Sequence, residues 1–93
     1  MGTLYISNGT QVILRTKGEN GKHHTPHVHL FYSGESETMD FDGNIIAGGI
    51  DRKKHREIAD WATVNKVYLL EQWEKALRGE KMVSFTEWEA NHK

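Results

Sequence analysis

The chain has 93 residues, of which 27% are charged with both signs represented, and a formal net charge of −1. This suits one small domain and excludes a global basic signature for nucleic acid or anionic membrane. It contains no cysteine, so disulfides, thiolate metal sites and cysteine nucleophiles are excluded, and any metal must be held by nitrogen and oxygen. No stretch of about 18 apolar residues occurs, and MGTLYISNGT has neither a basic n-region nor an apolar run of signal length, so no membrane association and a cytoplasmic location are expected.

The first half alternates and carries turn signals, while the second has helical spacing. This predicts an α+β domain: an antiparallel sheet of four to five strands built from N-terminal hairpins, followed by two C-terminal helices packed on one face. Residues 1–93 read as a single domain, with hairpins over 3–48, a helical pair over 51–79, and a C-terminal strap and frayed tail over 80–93. TLYIS and TQVILRT flank Asn8-Gly9, a dipeptide that tolerates the positive φ angles of a type I′ turn, so residues 3–16 form the first hairpin. KGENGK, residues 17–22, has two glycines and no apolar residue and reads as a loop.

HVHLFYS (27–33) and SETMDF (36–41) are separated by Gly34-Glu35, and glycine at the first central position suits a type II′ turn. That turn pairs Ser33 with Ser36, Leu30 with Met39 and Val28 with Phe41, so the apolar faces match. Asp42-Gly43-Asn44 makes the next turn, and IIAGG supplies a short fifth strand. Asp51 then caps a helix starting near Arg52, with Ile58, Trp61 and Ala62 on its apolar face. Asn65 or Thr63 caps a second helix carrying Leu69, Leu70, Trp73, Ala76 and Leu77 at helical spacing, and Gly79 stops it. KMVSFTEW reads as a last short strand or a strap across the core, and ANHK as frayed. Trp61 and Trp73 belong to the core on this reading.

Four of the six histidines, His23, His24, His27 and His29, fall within seven positions around the only proline, Pro26. Strand alternation sends Val28 and Leu30 to the core and puts His27 and His29 together on the opposite face. The II′ register sets Asp40 opposite His29 and Asp42 opposite His27, so two imidazoles and two carboxylates converge, with His24 as a further ligand oriented by Pro26. His24, His27, His29, Asp40 and Asp42 are therefore the candidate metal set, and a divalent Zn, Ni, Fe or Mn ion the candidate cofactor. An ordinary polar sheet face would carry the same cross-strand pairs. His23 reads as solvated, and His55 and His92 as incidental. Arg52, Lys53, Lys54 and Arg56, within RKKHR, form the one concentrated basic segment and the candidate phosphate or nucleic-acid patch.

The stretch His23-His24-Thr25-Pro26-His27-Val28-His29 resembles the His-x-Pro-Pro-His-Phe-His motif of a family of small bacterial proteins filed as a domain of unknown function. His24, Pro26, His27 and His29 fall on the motif, and Thr25 replaces its first proline. The similarity runs over residues 4–80, through Tyr32, Gly48 or Gly49, Arg52-Lys53-Lys54, and the spacing from Trp61-Ala62 to Leu69-Leu70-Glu71 and Trp73. The chain departs from the family pattern at Asp51, where proline is common, and at Asn65, where histidine is common. The resemblance implies a second small protein as partner, in a toxin–antitoxin-like or regulatory pair, and an RNA-directed or translational role.

Three functions follow as expectations. The first is a ligand- or metal-binding domain in a paired system. The second is a ribonuclease-like toxin in which His27 and His29 are catalytic as acid and base and RKKHR holds the RNA backbone. The third is a pure protein-interaction module.

Overall fold

The computed structural model describes residues 2–15 and 25–91; the expected loop at 17–22, His23, His24 and His92 lie outside the described residues. Five strands, β1 (Gly2–Ser7), β2 (Thr10–Leu14), β3 (His27–Tyr32), β4 (Glu35–Asp40) and β5 (Ile45–Gly48), form one antiparallel sheet in chain order. Three helices follow, α1 (Arg52–Val64), α2 (Lys66–Leu77) and α3 (Phe85–Asn91). The α+β architecture matches the sequence reading, with a third helix in place of the expected strap.

Asn8 and Gly9 have φ of 50° and 85°, the two positive angles of a type I′ turn, and close β1 on β2 with Ser7 opposite Thr10. Asp51 Oδ1 accepts from the Lys53 and Lys54 amides at 3.0 and 3.1 Å and starts α1. Asn65 stands at the N-cap position of α2, as expected, but its side chain is used elsewhere. Its Nδ2 donates to the Trp61 carbonyl at 2.9 Å, so it finishes α1 and makes no side-chain cap on α2, while Thr63 lies inside α1. Gly79, at φ 72°, ends α2 in a Schellman arrangement, with Gly79 N–H on Ala76 O and Glu80 N–H on Lys75 O.

One sheet face carries the core. Val12 and Leu30 lie in one cross-strand row, Leu14, Val28 and Met39 stand on the same side, and all are buried beneath Ile58, Ala62, Tyr68 and Leu69. Aromatic side chains clamp the helices to β1. Tyr5 stacks on Trp61 with ring centres 4.3 Å apart, and Phe85 meets both edge-on at 5.3 and 5.2 Å. Phe85 can reach them because residues before α3 are tied to α2: Tyr68 Oη donates to Val83 O at 2.5 Å, and Val83 N–H donates to Gln72 Oε1 at 2.7 Å. Burial, with the Glu71 charge adding to it, pushes the Tyr68 hydroxyl above its ordinary range and keeps it a donor. The start of α3 spells Ser84-x-x-Glu87, a capping-box pattern, and Glu87 N–H approaches Ser84 Oγ at 3.4 Å.

At the end of β5 the backbone passes so close to β4 that a Cβ on Gly48 would lie 2.5 Å from the Ser36 carbonyl oxygen, and its φ is +67°. Gly48→Ala is expected to lose about 1–3 kcal/mol in urea unfolding. Gly49→Ala, which has open space and no positive φ, should stay within about 0.5 kcal/mol of the parent.

Candidate functional site

Ser33 and Gly34 have φ of 49° and 83°, so the β3–β4 turn is type I′ at Ser33-Gly34 and not type II′ at Gly34-Glu35. Tyr32 therefore faces Glu35, and the expected register moves by two residues: His27 faces Asp40, His29 faces Thr38, Val28 faces Met39 and Leu30 faces Glu37. An even shift leaves every side chain on its expected face but changes its neighbours. Asp42 drops off the ladder into the following turn.

The two aspartates turn to structural tasks. Asp40 accepts from the Asp42 and Asn44 amides at 2.9 Å each and from Asn44 Nδ2 at 3.2 Å. Burial raises its carboxyl, but hydrogen bonds from Asn44 and Asp42 and the Lys66 charge outweigh that and hold it below its ordinary value. Asp42 pairs with Lys66 Nζ at 2.6 Å and so pins the turn to α2.

The imidazoles do come together. His27 and His29 have ring centres 5.2 Å apart, with planes at 82°. His27 is buried, with its ring 5.1 Å from that of Trp73 on α2. Its Nδ1 donates to the Thr25 carbonyl at 2.9 Å, which in the neutral ring puts the lone pair on Nε2. His29 Nδ1 lies 3.4 Å from Thr38 Oγ1. Among the described residues no three His, Asp or Glu side chains gather to hold a metal ion, and the third expected imidazole, His24, lies outside them.

A second cluster involves a histidine read as incidental. Leu30 opposite Glu37 directs the Glu37 side chain to the core face, where it is fully buried. His55 Nδ1 meets Glu37 Oε2 at 2.5 Å, and Glu37 Oε1 accepts from the Ile50 amide at 3.3 Å. The buried carboxylate thus has a partner on each oxygen, the condition under which such a group is tolerated. Both residues carried a legible signal: Glu37 alternates in phase with Met39 and Phe41, and His55 stands three and seven residues before Ile58 and Ala62.

The basic segment collects around His55. Arg52, Lys53 and Arg56 line one cleft with it, but Lys54 leaves the group, its ammonium lying 5.4 Å over the Tyr32 ring and 3.8 Å from Glu57. Three of the four basic residues thus line the cleft, and Lys54 does not.

Fold and side chains define a small α+β domain with an imidazole pair on its sheet and a buried carboxylate–imidazole pair beneath a basic helix start. The chain belongs to the family described as Domain of unknown function (DUF4160), whose model matches residues 16–74, a span that takes in both clusters and omits β1, β2 and α3. No curated protein and no solved structure matches the chain. No helix among the described residues is long and apolar enough to cross a membrane.

Removing one member of the buried pair should cost more than removing both. His55→Leu, which leaves the buried Glu37 without its imidazole partner, is expected to lose about 3 kcal/mol in urea unfolding, and the Glu37→Leu/His55→Leu double variant to recover most of it; a double variant no more stable than the single one would contradict the pairing. Asp40→Asn is expected to lose about 1 kcal/mol or less near neutral pH. The folded-state carboxyl of Asp40 is held below its ordinary 3.8, so the unfolded chain binds more protons there and the contribution is present above 3.8. The gap between parent and variant should therefore close as the pH of the unfolding series falls through the folded-state value.

Proposed function

We propose that the domain binds a divalent transition-metal ion through His27 and His29, with His24 from outside the described residues as the third ligand. The observation that carries this is the spacing of the pair. Two imidazoles sharing one tetrahedral ion at Zn–N distances of about 2.0–2.1 Å have ring centres about 5 Å apart, and here the separation is 5.2 Å. The His27 Nδ1–H bond to the Thr25 carbonyl supports the same reading, because a ligating histidine characteristically donates its second N–H to a carbonyl and presents the other nitrogen. With no cysteine in the chain, Zn, Ni, Fe or Mn would be held by nitrogen and oxygen alone.

Asp40 and Asp42 are left out of this ligand set, since their oxygens serve Asn44, the Asp42 amide and Lys66. The burial of His27 against Trp73 also favours an ion over a polymeric substrate, which argues against His27 and His29 as the acid and base of a ribonuclease. We assign this site to one member of a paired toxin–antitoxin-like or regulatory system, with a second small protein as partner, in line with the family resemblance.

The test is imidazole nitrogen NMR of the full chain titrated with Zn²⁺ or Ni²⁺. Shifting or broadening of the His27 and His29 signals at equimolar metal, with affinity falling roughly tenfold or more in His29→Ala, is the expected result. Unchanged signals at millimolar metal would overturn the reading.

A further inference from the structure

A cleft of about 590 Å³ opens between β5 and the first turns of α1, with Ile45 and Ile50 as its apolar part and Arg52, Lys53, His55 and Arg56 as its charged wall. A volume of this order falls within the usual range for small-molecule sites. Among the described residues Arg52, Lys53 and Arg56 have no ion-pair partner, although Lys54, Lys66 and Arg78 each have one. Three cations directed to one concavity without an internal counter-charge repel one another, and an anion entering the cleft relieves that repulsion.

His55 adds a fixed element to this wall. Glu37 takes its Nδ1, the Glu37 side chain is fully buried, and the imidazole is 20% exposed. The ring is therefore held by the core while Nε2, which makes no hydrogen bond among the described residues, serves the cleft. Backbone amides at the helix start are not the binding groups, because Asp51 already occupies those of Lys53 and Lys54. Recognition falls to the side chains: two guanidiniums suited to phosphate oxygens, an ammonium and an imidazole.

We propose that this cleft binds the phosphate of a nucleotide, with Arg52, Lys53, Arg56 and His55 on the phosphoryl oxygens and the base against Ile45 and Ile50. The nucleotide can be free or the 5′ end of an RNA; the chemistry at the cleft is the same. The inference is independent of the metal reading, since one is followed at His55 and the other at His27 and His29, and the two fail separately.

The experiment is NMR titration of the isotope-labelled full chain with inorganic phosphate, AMP, and a short RNA carrying or lacking a 5′-phosphate. Inorganic phosphate, AMP and the 5′-phosphorylated RNA should each shift the His55 imidazole and the Arg52 and Arg56 guanidinium signals, with AMP binding roughly tenfold tighter than inorganic phosphate. Arg52→Ala/Arg56→Ala should weaken AMP binding roughly tenfold or more without lowering the unfolding midpoint, and Ile45→Ser should weaken AMP and leave inorganic phosphate unaffected. RNA binding that is tighter than AMP and depends on the 5′-phosphate supports the proposal with an RNA end as source; AMP binding tighter than RNA supports it with a free nucleotide. No shift at His55 with any probe at millimolar concentration, AMP no tighter than inorganic phosphate, or an arginine double variant that binds like the parent would each overturn it.

Discussion

The type I′ turn at Ser33-Gly34 closes β3 on β4 with Tyr32 opposite Glu35, and that register sets the cross-strand neighbours of His27, His29 and Glu37. It sets Leu30 opposite Glu37, a carboxylate that strand alternation sends to the buried face of the sheet, beneath α1. It sets His27 opposite Asp40 and His29 opposite Thr38, which separates the imidazoles from Asp42, while their own proximity comes from alternate positions on β3. A turn one residue further on, at Gly34-Glu35, would change the cross-strand neighbours in both clusters without exposing one core side chain.

A buried carboxylate is a cost that a domain this small must offset locally. Here the offset comes from His55 and the Ile50 amide, which between them take both Glu37 oxygens and tie the segment before α1 to β4. Most of the stabilisation lies elsewhere, in the apolar face from Val12 to Met39 and in the aromatic group of Tyr5, Trp61, Tyr68 and Phe85. The Glu37–His55 contact ties α1 to the sheet, and with it the helix start that carries Arg52, Lys53 and Arg56. The link from sheet to cleft is thus a buried contact.

Much of the fold was legible. Asn8-Gly9, Asp42-Gly43-Asn44, the Asp51 cap and Gly79 each specify local backbone chemistry, and each stands where the sequence puts it. The β3–β4 register was not legible, because Met39 can face Leu30 or Val28 with equal hydrophobic match, and only the turn type separates the two. Ser33 at positive φ is unusual for a non-glycine residue, and Gly34-Glu35 offered a conventional alternative. His55 was obscured by its neighbours: a run of charges suggests a solvated helix start, although its spacing to Ile58 and Ala62 puts it on the buried face. The third helix was signalled by Ser84-x-x-Glu87 with Phe85 and Trp88 three residues apart, but its short length gave the periodicity little to act on.

The β3–β4 register is best measured by α-proton cross-strand NOEs in the full chain. With a two-residue turn at Ser33-Gly34, His29 and Thr38, and Phe31 and Ser36, are the close non-hydrogen-bonded pairs that give strong contacts. Strong His29–Thr38 and Phe31–Ser36 cross-peaks are the expected result. Tyr32–Glu37 and Leu30–Met39 cross-peaks in their place, the close pairs of a two-residue turn at Gly34-Glu35, would contradict the register, and with it the cross-strand neighbours of His27, His29 and Glu37.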